Sequence, residues 1–166
     1  MAHIIDGKKI AAATRADIAD RVEKMKRDLG VCPGLAVVIV GENPASQVYV
    51  RNKKKACEEA GMYSVVVEMP ESTTQQQLMD KLEELKSDSR IHGILVQLPL
   101  PRHLDEDAVI AAIPPEKDVD AFHPINVGKI MIGNYAFLPC TPAGCMELIH
   151  STGVDVSGKE CVGIGR

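Results

Sequence analysis

Tyr49 and Lys53 are the first pair of side chains in the sequence whose types and spacing suit chemistry. Because they are four residues apart, they lie on one face of the helix predicted around them. A lysine serves as a general base near neutral pH only where burial or a neighbouring positive charge lowers its pKa from about 10.4. A tyrosine four residues earlier can hold a water or a substrate beside it. The pair is a candidate catalytic site, although spacing alone favours the plainer interpretation of a half-buried tyrosine and a solvated lysine in the run 53–55.

Polar side chains also follow the apolar run 94–96. Gln97 comes directly after it, and prolines at 99 and 101 stiffen the loop, so the amide can present a donor and an acceptor to a polar ring. Asp118 and Asp120 lie in a later loop, where alternate residues of an extended chain point in opposite directions. Only one of the two carboxylates is therefore expected to face a site. A turn-forming amide and a solvated acidic loop are the alternatives.

Apolar periodicity predicts the elements that position these residues. Strands and helices alternate along residues 10–96, which is typical of a parallel sheet with right-handed crossovers. Ligands of such sheets bind outside the carboxyl ends of the strands, where Gln97 and the loop 41–46 lie. The predicted elements are a helix over 10–29 ended by Gly30, a strand over 35–40, a helix from Ser46 as N-cap through Ala60, a strand over 65–69, a helix bearing Leu78, Leu82 and Leu85, and a strand over 94–96.

The second half of the chain is less regular. A short helix is expected after Asp105, and residues 116–137 lack a clear period and are interpreted as loop and connection. Thr141 as N-cap, followed by a proline, predicts a helix to about residue 151. Residues 157–166 end in Gly-Ile-Gly-Arg after a short apolar stretch, which is how a dinucleotide-binding unit opens. We therefore predict an α/β chain: a three-layer parallel-sheet catalytic domain over 1–138, a connecting helix over 139–153, and over 154–166 the first strand of an incomplete Rossmann-type domain.

Composition excludes several classes of protein. A net charge of −4 with 3% aromatic residues offers neither the basic surface nor the stacking platforms of a nucleic-acid-binding protein. The five cysteines contain no Cys-x-x-Cys pair and the five histidines are scattered, so neither a disulfide framework nor a metal site is expected. No apolar run reaches the roughly 18 residues of a membrane span, and no signal peptide is evident. A cytoplasmic protein is expected.

Four segments in series together resemble the family of bifunctional methylenetetrahydrofolate dehydrogenase/methenyltetrahydrofolate cyclohydrolases. The short-chain dehydrogenases also use Tyr-x-x-x-Lys, but they place the pair after a glycine-rich nucleotide turn, whereas Tyr49 precedes the only Gly-x-Gly here. The segments that carry the folate-enzyme resemblance are Tyr49-Val-Arg-Asn-Lys53, Gly93-Ile-Leu-Val-Gln-Leu-Pro-Leu-Pro101, Pro115-Glu-Lys-Asp-Val-Asp120 and Pro139-Cys-Thr-Pro142.

The resemblance implies two reactions on tetrahydrofolate derivatives. Hydride transfer from 5,10-methylenetetrahydrofolate to NADP or NAD gives the methenyl cation, and water opens that cation to 10-formyltetrahydrofolate. Family members continue for more than a hundred residues to complete the nucleotide-binding domain and are usually homodimers. This chain is accordingly expected to supply the substrate site, to bind the cofactor poorly or not at all, and to retain at most the hydrolytic activity.

The resemblance also assigns roles to individual residues. Lys53 resembles the main catalytic residue of hydrolysis, Tyr49 the residue that stacks on or positions the substrate, and Gln97 the residue that holds and tunes the lysine. Asp120 resembles the anchor of the pterin ring, Leu98 and Pro99 the pocket wall, and Arg166 the residue that meets the cofactor phosphate. Two alternatives stay open: a folate-binding chain without catalysis, and a site for a small molecule other than a folate.

Overall fold

The fold is a parallel α/β sheet flanked by helices on both faces. The computed structural model describes residues 4–164 of the chain. Strands and helices alternate through the first two-thirds, as the apolar periodicity predicts. The elements are α1 (Gly7–Leu29), β1 (Gly34–Val40), α2 (Pro44–Glu59), β2 (Tyr63–Met69), α3 (Gln75–Ser87), β3 (Gly93–Val96), α4 (Glu106–Ala112), α5 (Pro124–Met131) and α6 (Cys140–His150).

The sheet has three strands in the order β2-β1-β3, and both pairings are parallel. Val37 of the central strand pairs with Val66 on one side and with Leu95 on the other. Beyond β3, Ile94 forms a single parallel bridge with Asp118, so the acidic loop continues the sheet at that edge. All three strands run the same way, and their carboxyl ends therefore meet at one edge of the domain.

Successive side chains of β1 enter different cores, because side chains alternate across a strand. Ala36, Val38 and Val40 pack on the face that carries α3 and α4, while Val37 and Ile39 pack on the face that carries α2. A central strand buried on both faces explains why its sequence is wholly apolar. The layers are helix, sheet and helix, which confirms the expected fold class.

Local signals at the helix ends account for most boundaries. The Asp6 side chain accepts hydrogen bonds from the amides of Lys8 and Lys9 and caps α1, and Gly30 ends that helix with φ of 66°. At α2 the prediction of Ser46 as the N-cap is wrong. The cap is Asn43, whose side chain accepts from two first-turn amides, because Pro44 then occupies the first helical position.

The second half departs from expectation in three places. Residues 116–137 contain α5, whose eight residues are too few to show a period. Helix α6 begins at Cys140 with Pro139 as its cap residue, so Thr141 is not the N-cap. Residues 154–164 form turns and irregular backbone instead of the expected strand, since a lone strand has no neighbour to pair with. The domain boundaries at 138 and 153 stay predictions.

Candidate active site

Lys53 and Gln97 meet at the carboxyl edge of the sheet. Lys53 lies on the third turn of α2 and is half-buried, whereas its neighbours Lys54 and Lys55 are exposed. Its Nζ donates a hydrogen bond of 3.0 Å to Oε1 of Gln97. Lys54 and Lys55 instead lie near the carboxylates of Glu58 and Glu59, one turn further along the helix. The helix thus separates one inward lysine from two outward ones.

The orientation of the Gln97 amide is fixed by its second hydrogen bond. Nε2 donates to the carbonyl of Leu98 at 2.8 Å, and the backbone amide of Gln97 donates to the carbonyl of Val38 at 2.8 Å. Reversing the amide would turn its NH₂ group toward the lysine and its oxygen toward a carbonyl, which would break both bonds. Gln97 therefore presents an acceptor to Lys53.

The two carboxylates of the loop after α4 have different environments. Asp118 is 2% exposed and accepts hydrogen bonds from the His123 amide and the Asn126 side chain, both at 2.9 Å. Asp120 is half-buried on the side of Lys53. Burial raises the pKa of Asp120, the positive charge of Lys53 opposes that rise, and the carboxylate of Asp118 adds to it. Only Asp120 is available to a ligand.

The remaining predicted residues surround this cluster. Tyr49 lies one turn before Lys53 and is 60% exposed. Leu98 shares a small cavity with Asp120 and Phe122, while Pro99 is exposed and lines an open groove of about 370 Å³ beside Gly41. The structure therefore places Tyr49, Lys53, Gln97, Leu98 and Asp120 around one edge, with Pro99 at its margin. Arg166 lies outside the described residues.

Cys140 is a residue of this neighbourhood to which the sequence assigned no role. Its Sγ lies 4.0 Å from the carbonyl oxygen of Val119, beside Asp120. Cys140 is exposed as a residue, but the protein atoms around its thiol partly desolvate it and raise its pKa; the charge of Asp120 adds to that rise and that of Lys53 opposes it. The segment 139–142 is one of the four that carry the family resemblance, so the sequence marks it. Only a structure shows that α6 begins next to the acidic loop.

Other parts of the described chain carry less chemistry. An open groove of about 440 Å³ lies on the other flank of α2, lined by Gln47, Arg51 and Lys54, and includes none of the predicted site residues. Among residues 4–164 no three His, Cys, Asp or Glu side chains are grouped to hold a metal ion. Within the same residues, no helix combines the length and the apolar character that crossing a membrane requires.

The nicotinamide cofactor expected from the sequence would need a phosphate cradle. Such cradles are built from a strand, a glycine turn and a helix N-terminus. The described residues after α6 contain neither strand nor helix, and the side chains of 154–164 are exposed. The described residues 154–164 therefore do not fit the cofactor.

This parallel α/β domain brings an amine, an amide and a carboxylate to the carboxyl ends of its strands. It therefore belongs to the class of ligand-binding α/β domains. Residues 5–120 match the family model described as the tetrahydrofolate dehydrogenase/cyclohydrolase catalytic domain. The match covers most of the chain and includes every one of the residues 49, 53, 97, 98, 99 and 120. The chain belongs to this family.

Curated relatives support the same assignment over nearly the whole length of this chain. The bifunctional protein FolD of Moorella thermoacetica is 56% identical over 165 residues, which are 99% of this chain and 59% of the relative. That of Streptococcus pneumoniae is 52% identical over 166 residues, 100% of this chain and 58% of the relative. The chain therefore spans a little under three-fifths of the length of these relatives.

Solved structures have the same fold. The bifunctional FolD methylenetetrahydrofolate dehydrogenase/cyclohydrolase of Campylobacter jejuni superposes with a TM-score of 0.89 at 44% identity, covering 93% of this chain and 55% of that one. The Trypanosoma brucei methylenetetrahydrofolate dehydrogenase-cyclohydrolase, solved with NADP cofactor and an inhibitor, gives 0.92 at 40% identity, covering 95% and 54%.

Proposed function

We propose that this chain is the folate-binding catalytic part of a methylenetetrahydrofolate dehydrogenase/cyclohydrolase. The observation that carries the proposal is the 3.0 Å hydrogen bond from Lys53 to Gln97, with Asp120 beside the pair. An amine held by an amide at the carboxyl edge of a parallel sheet is suited to general base chemistry. Membership of the family supports a reduced folate as the substrate.

The site residues suit a pterin. A pterin is flat and rich in donors and acceptors, so it calls for an aromatic face and for hydrogen-bonding groups at its edge. Tyr49 offers the aromatic face from α2, and Asp120 offers a carboxylate that accepts no hydrogen bond from the described residues. Leu98 and Asp120 both line a cavity of about 10 Å³, which is too small for a ligand but places an apolar side chain beside the carboxylate. We assign the pterin to Asp120 and the wall to Leu98 and Pro99.

The hydrolytic step follows from the placement of Lys53. Water adds to the carbon that bridges N5 and N10 of the methenyl cation, and the uncharged amine of Lys53 accepts one of its protons. The bond from that carbon to N5 then breaks, the remaining hydroxyl proton moves to N5, and the formyl group stays on N10. An uncharged lysine also repels the cationic substrate less than an ammonium. Gln97 holds the amine toward the water through its Oε1.

The oxidative step depends on NADP or NAD, which supplies hydride chemistry when it is bound. Since residues 154–164 provide no phosphate cradle, we expect this chain to contribute the substrate site and to bind the cofactor weakly or not at all. Folate binding without turnover is the second candidate function. It is favoured by the 60% exposure of Tyr49, because a ring that is open to solvent holds a bound substrate less firmly in the geometry that reaction needs.

We further propose a homodimer in a reducing, cytoplasmic setting for the complete protein. The five cysteines are free, and the exposed apolar residues Met131 and Ile132 give α5 a surface suited to contact. A sedimentation measurement on the chain joined to the remaining part of a relative would give twice the monomer mass. A monomer at micromolar concentration would contradict the homodimer.

The decay of methenyltetrahydrofolate absorbance tests the central proposal. The protein should accelerate hydrolysis over buffer, and Lys53→Met should remove the acceleration. Lys54→Met is the matched control, since Lys54 is the adjacent lysine on the other flank of α2 and should change the rate by less than about twofold. Equal rates for the unmodified protein and Lys53→Met would remove the lysine from the mechanism, and tight folate binding without acceleration would favour the second candidate function.

A further inference from the structure

Asp120 has no hydrogen bond of its own among the described residues, although it is half-buried. Its position therefore depends on the backbone of the loop that carries it. The next residue, Ala121, is buried and has φ of 57°, a left-handed conformation that a non-glycine residue adopts only where the surroundings hold it. Something other than Asp120 must fix this loop.

Asp118 and Asn126 form the contact that does so. Oδ2 of Asp118 accepts from the His123 amide and from Nδ2 of Asn126, both at 2.9 Å. Nδ2 of Asn126 also donates to the carbonyl of Pro115 at 2.8 Å. These bonds connect Pro115 at the start of the loop, Asp118 within it and the first turn of α5. They therefore enclose the segment that carries Asp120. Asp118 and Asn126 are only 2% and 4% exposed, so water does not compete for them.

The same contact is tied to the sheet. The Ile94 amide of β3 donates to the carbonyl of Lys117 at 2.7 Å, and the Ala121 amide donates to the carbonyl of Asp118 at 3.2 Å. The loop is thus anchored to β3 immediately before Asp118 and closed by a turn immediately after Asp120. Gln97 follows the same strand, so the sheet and the loop together set the separation of Asp120 from the Lys53–Gln97 pair.

We propose that Asp118 and Asn126 are positioning residues that hold Asp120 in the folate site without touching the substrate themselves. The identity of the ligand rests on the proposed function, whereas the hydrogen bonds that position Asp120 do not depend on it. Loss of either partner removes one of the two hydrogen bonds that the other makes in this buried setting, and so it loosens the loop. The two buried residues therefore determine where the exposed edge of Asp120 lies.

A double-mutant cycle distinguishes positioning from a general structural role. Asn126→Ala should weaken tetrahydrofolate binding, measured by calorimetry, by about tenfold, the loss expected if the displaced Asp120 no longer makes its hydrogen bond to the ligand. In an Asp120→Ala background the same change should add less than about twofold, because the residue that Asn126 positions is gone. An equal loss in both backgrounds overturns the proposal. Asn134→Ala, an exposed Asn-to-Ala change just after α5, is the matched control.

Conservative replacement gives a second readout. In Asp118→Asn one side-chain oxygen can still accept both bonds, so binding should fall much less than in Asp118→Ala. Equal losses in the two variants would show that the acceptor oxygen is irrelevant and would overturn the proposal. In turnover assays, Asn126→Ala should raise KM while changing kcat by less than about threefold, since the Lys53–Gln97 bond is intact.

Two measurements do not need folate, so they separate this inference from the proposed function. The first is NMR titration of the Asp120 carboxyl, whose pKa should fall in Asn126→Ala as the loop becomes solvated; an unchanged pKa overturns the inference. The second uses the unmodified chain and is unaffected if the variants fail to fold. The His123 amide should exchange slowly because it is bonded to a buried carboxylate, and exchange at the rate of a free peptide overturns the inference. A chain that binds no tetrahydrofolate but passes both tests contradicts the proposed function alone.

Discussion

Lys53 and Gln97 are 44 positions apart in the sequence, yet Nζ of one lies 3.0 Å from Oε1 of the other. The lysine is carried by a helix that packs on β1, and the glutamine follows β3, the parallel neighbour of β1. The contact therefore depends on strand order, because the crossover from β1 through α2 and β2 must return the chain to the other side of β1. The half-buried amine of Lys53 is thus hydrogen-bonded to the amide oxygen of Gln97 at the carboxyl edge of the sheet.

Gln97→Leu should slow the hydrolysis of methenyltetrahydrofolate by about two- to tenfold, since a hydrogen bond between an amide and an uncharged amine is worth about 0.5–1.5 kcal/mol. The fold should persist, because the backbone bond from residue 97 to Val38 does not involve the side chain. The decay of substrate absorbance measures the rate. Gln47→Leu, on the other flank of α2, is the control and should change it by less than twofold. Equal rates for both variants would contradict a role for Gln97.

The elements that carry this contact were predictable because their signals are local. An apolar, β-branched run predicts a buried strand, and the spacing of Leu78, Leu82 and Leu85 predicts the buried stripe of α3, all three of which are buried. Gly30 and Gly61 mark helix ends, with φ of 66° and 72°. Helix starts were less predictable, because Asn43, Ser46 and Thr141 are all acceptable cap residues and only tertiary packing selects among them.

The candidate site was predictable as a set of residues but not as a geometry. Sequence alternation indicated that one of Asp118 and Asp120 would face inward to the protein and the other toward a ligand, but it could not say which. The choice is set by Asn126, whose amide lies beside Asp118 in a helix too short to be recognised from its pattern. Cys140 was missed for a related reason, since its proximity to Asp120 arises from a long connection and not from local sequence.

Asp120→Asn should stabilise the folded protein near neutral pH. Burial raises the pKa of Asp120 above its ordinary value of 3.8, so the folded state binds this proton more readily than the unfolded state. The ionised carboxylate consequently destabilises the fold at neutral pH, and the effect disappears as pH falls through the raised pKa toward 3.8. Denaturant unfolding at pH 7 and near pH 4 should show an advantage of the variant that shrinks on acidification.

Asp20→Asn is the control for this pH dependence, because Asp20 is exposed on α1. Its effect on the free energy of unfolding should stay within about 0.5 kcal/mol at both pH values. An Asp120→Asn variant that is less stable than the unmodified protein at pH 7 would indicate that the attraction of Lys53 outweighs burial.

Gly34→Ala should lower the free energy of unfolding by more than is usual for inserting a methyl group into a well-packed core. The usual range is about 1–3 kcal/mol. A Cβ at this position would lie 2.0 Å from the carbonyl oxygen of Arg90, a backbone atom that cannot move without displacing the start of β3. Gly128→Ala is the opposite case, since nothing lies within 4 Å of a Cβ there and the residue is inside α5. It should stabilise by about 0.5–1 kcal/mol. Thermal unfolding of both variants checks the pair, and similar melting temperatures would contradict the close approach at Gly34.

Tyr49→Phe should bind tetrahydrofolate nearly as well as the unmodified protein, whereas Tyr49→Ala should bind it roughly two- to tenfold more weakly. The reason is that the hydroxyl of Tyr49 makes no hydrogen bond among the described residues and the ring is 60% exposed, so the ring face is what the site offers a flat ligand. Aromatic stacking contributes about 0.5–1.5 kcal/mol, which sets the expected loss. Calorimetry measures it, and Tyr135→Ala, at a tyrosine 50% exposed after α5, controls for the loss of an exposed ring. If Phe binds as poorly as Ala, the hydroxyl positions the substrate and the ring does not.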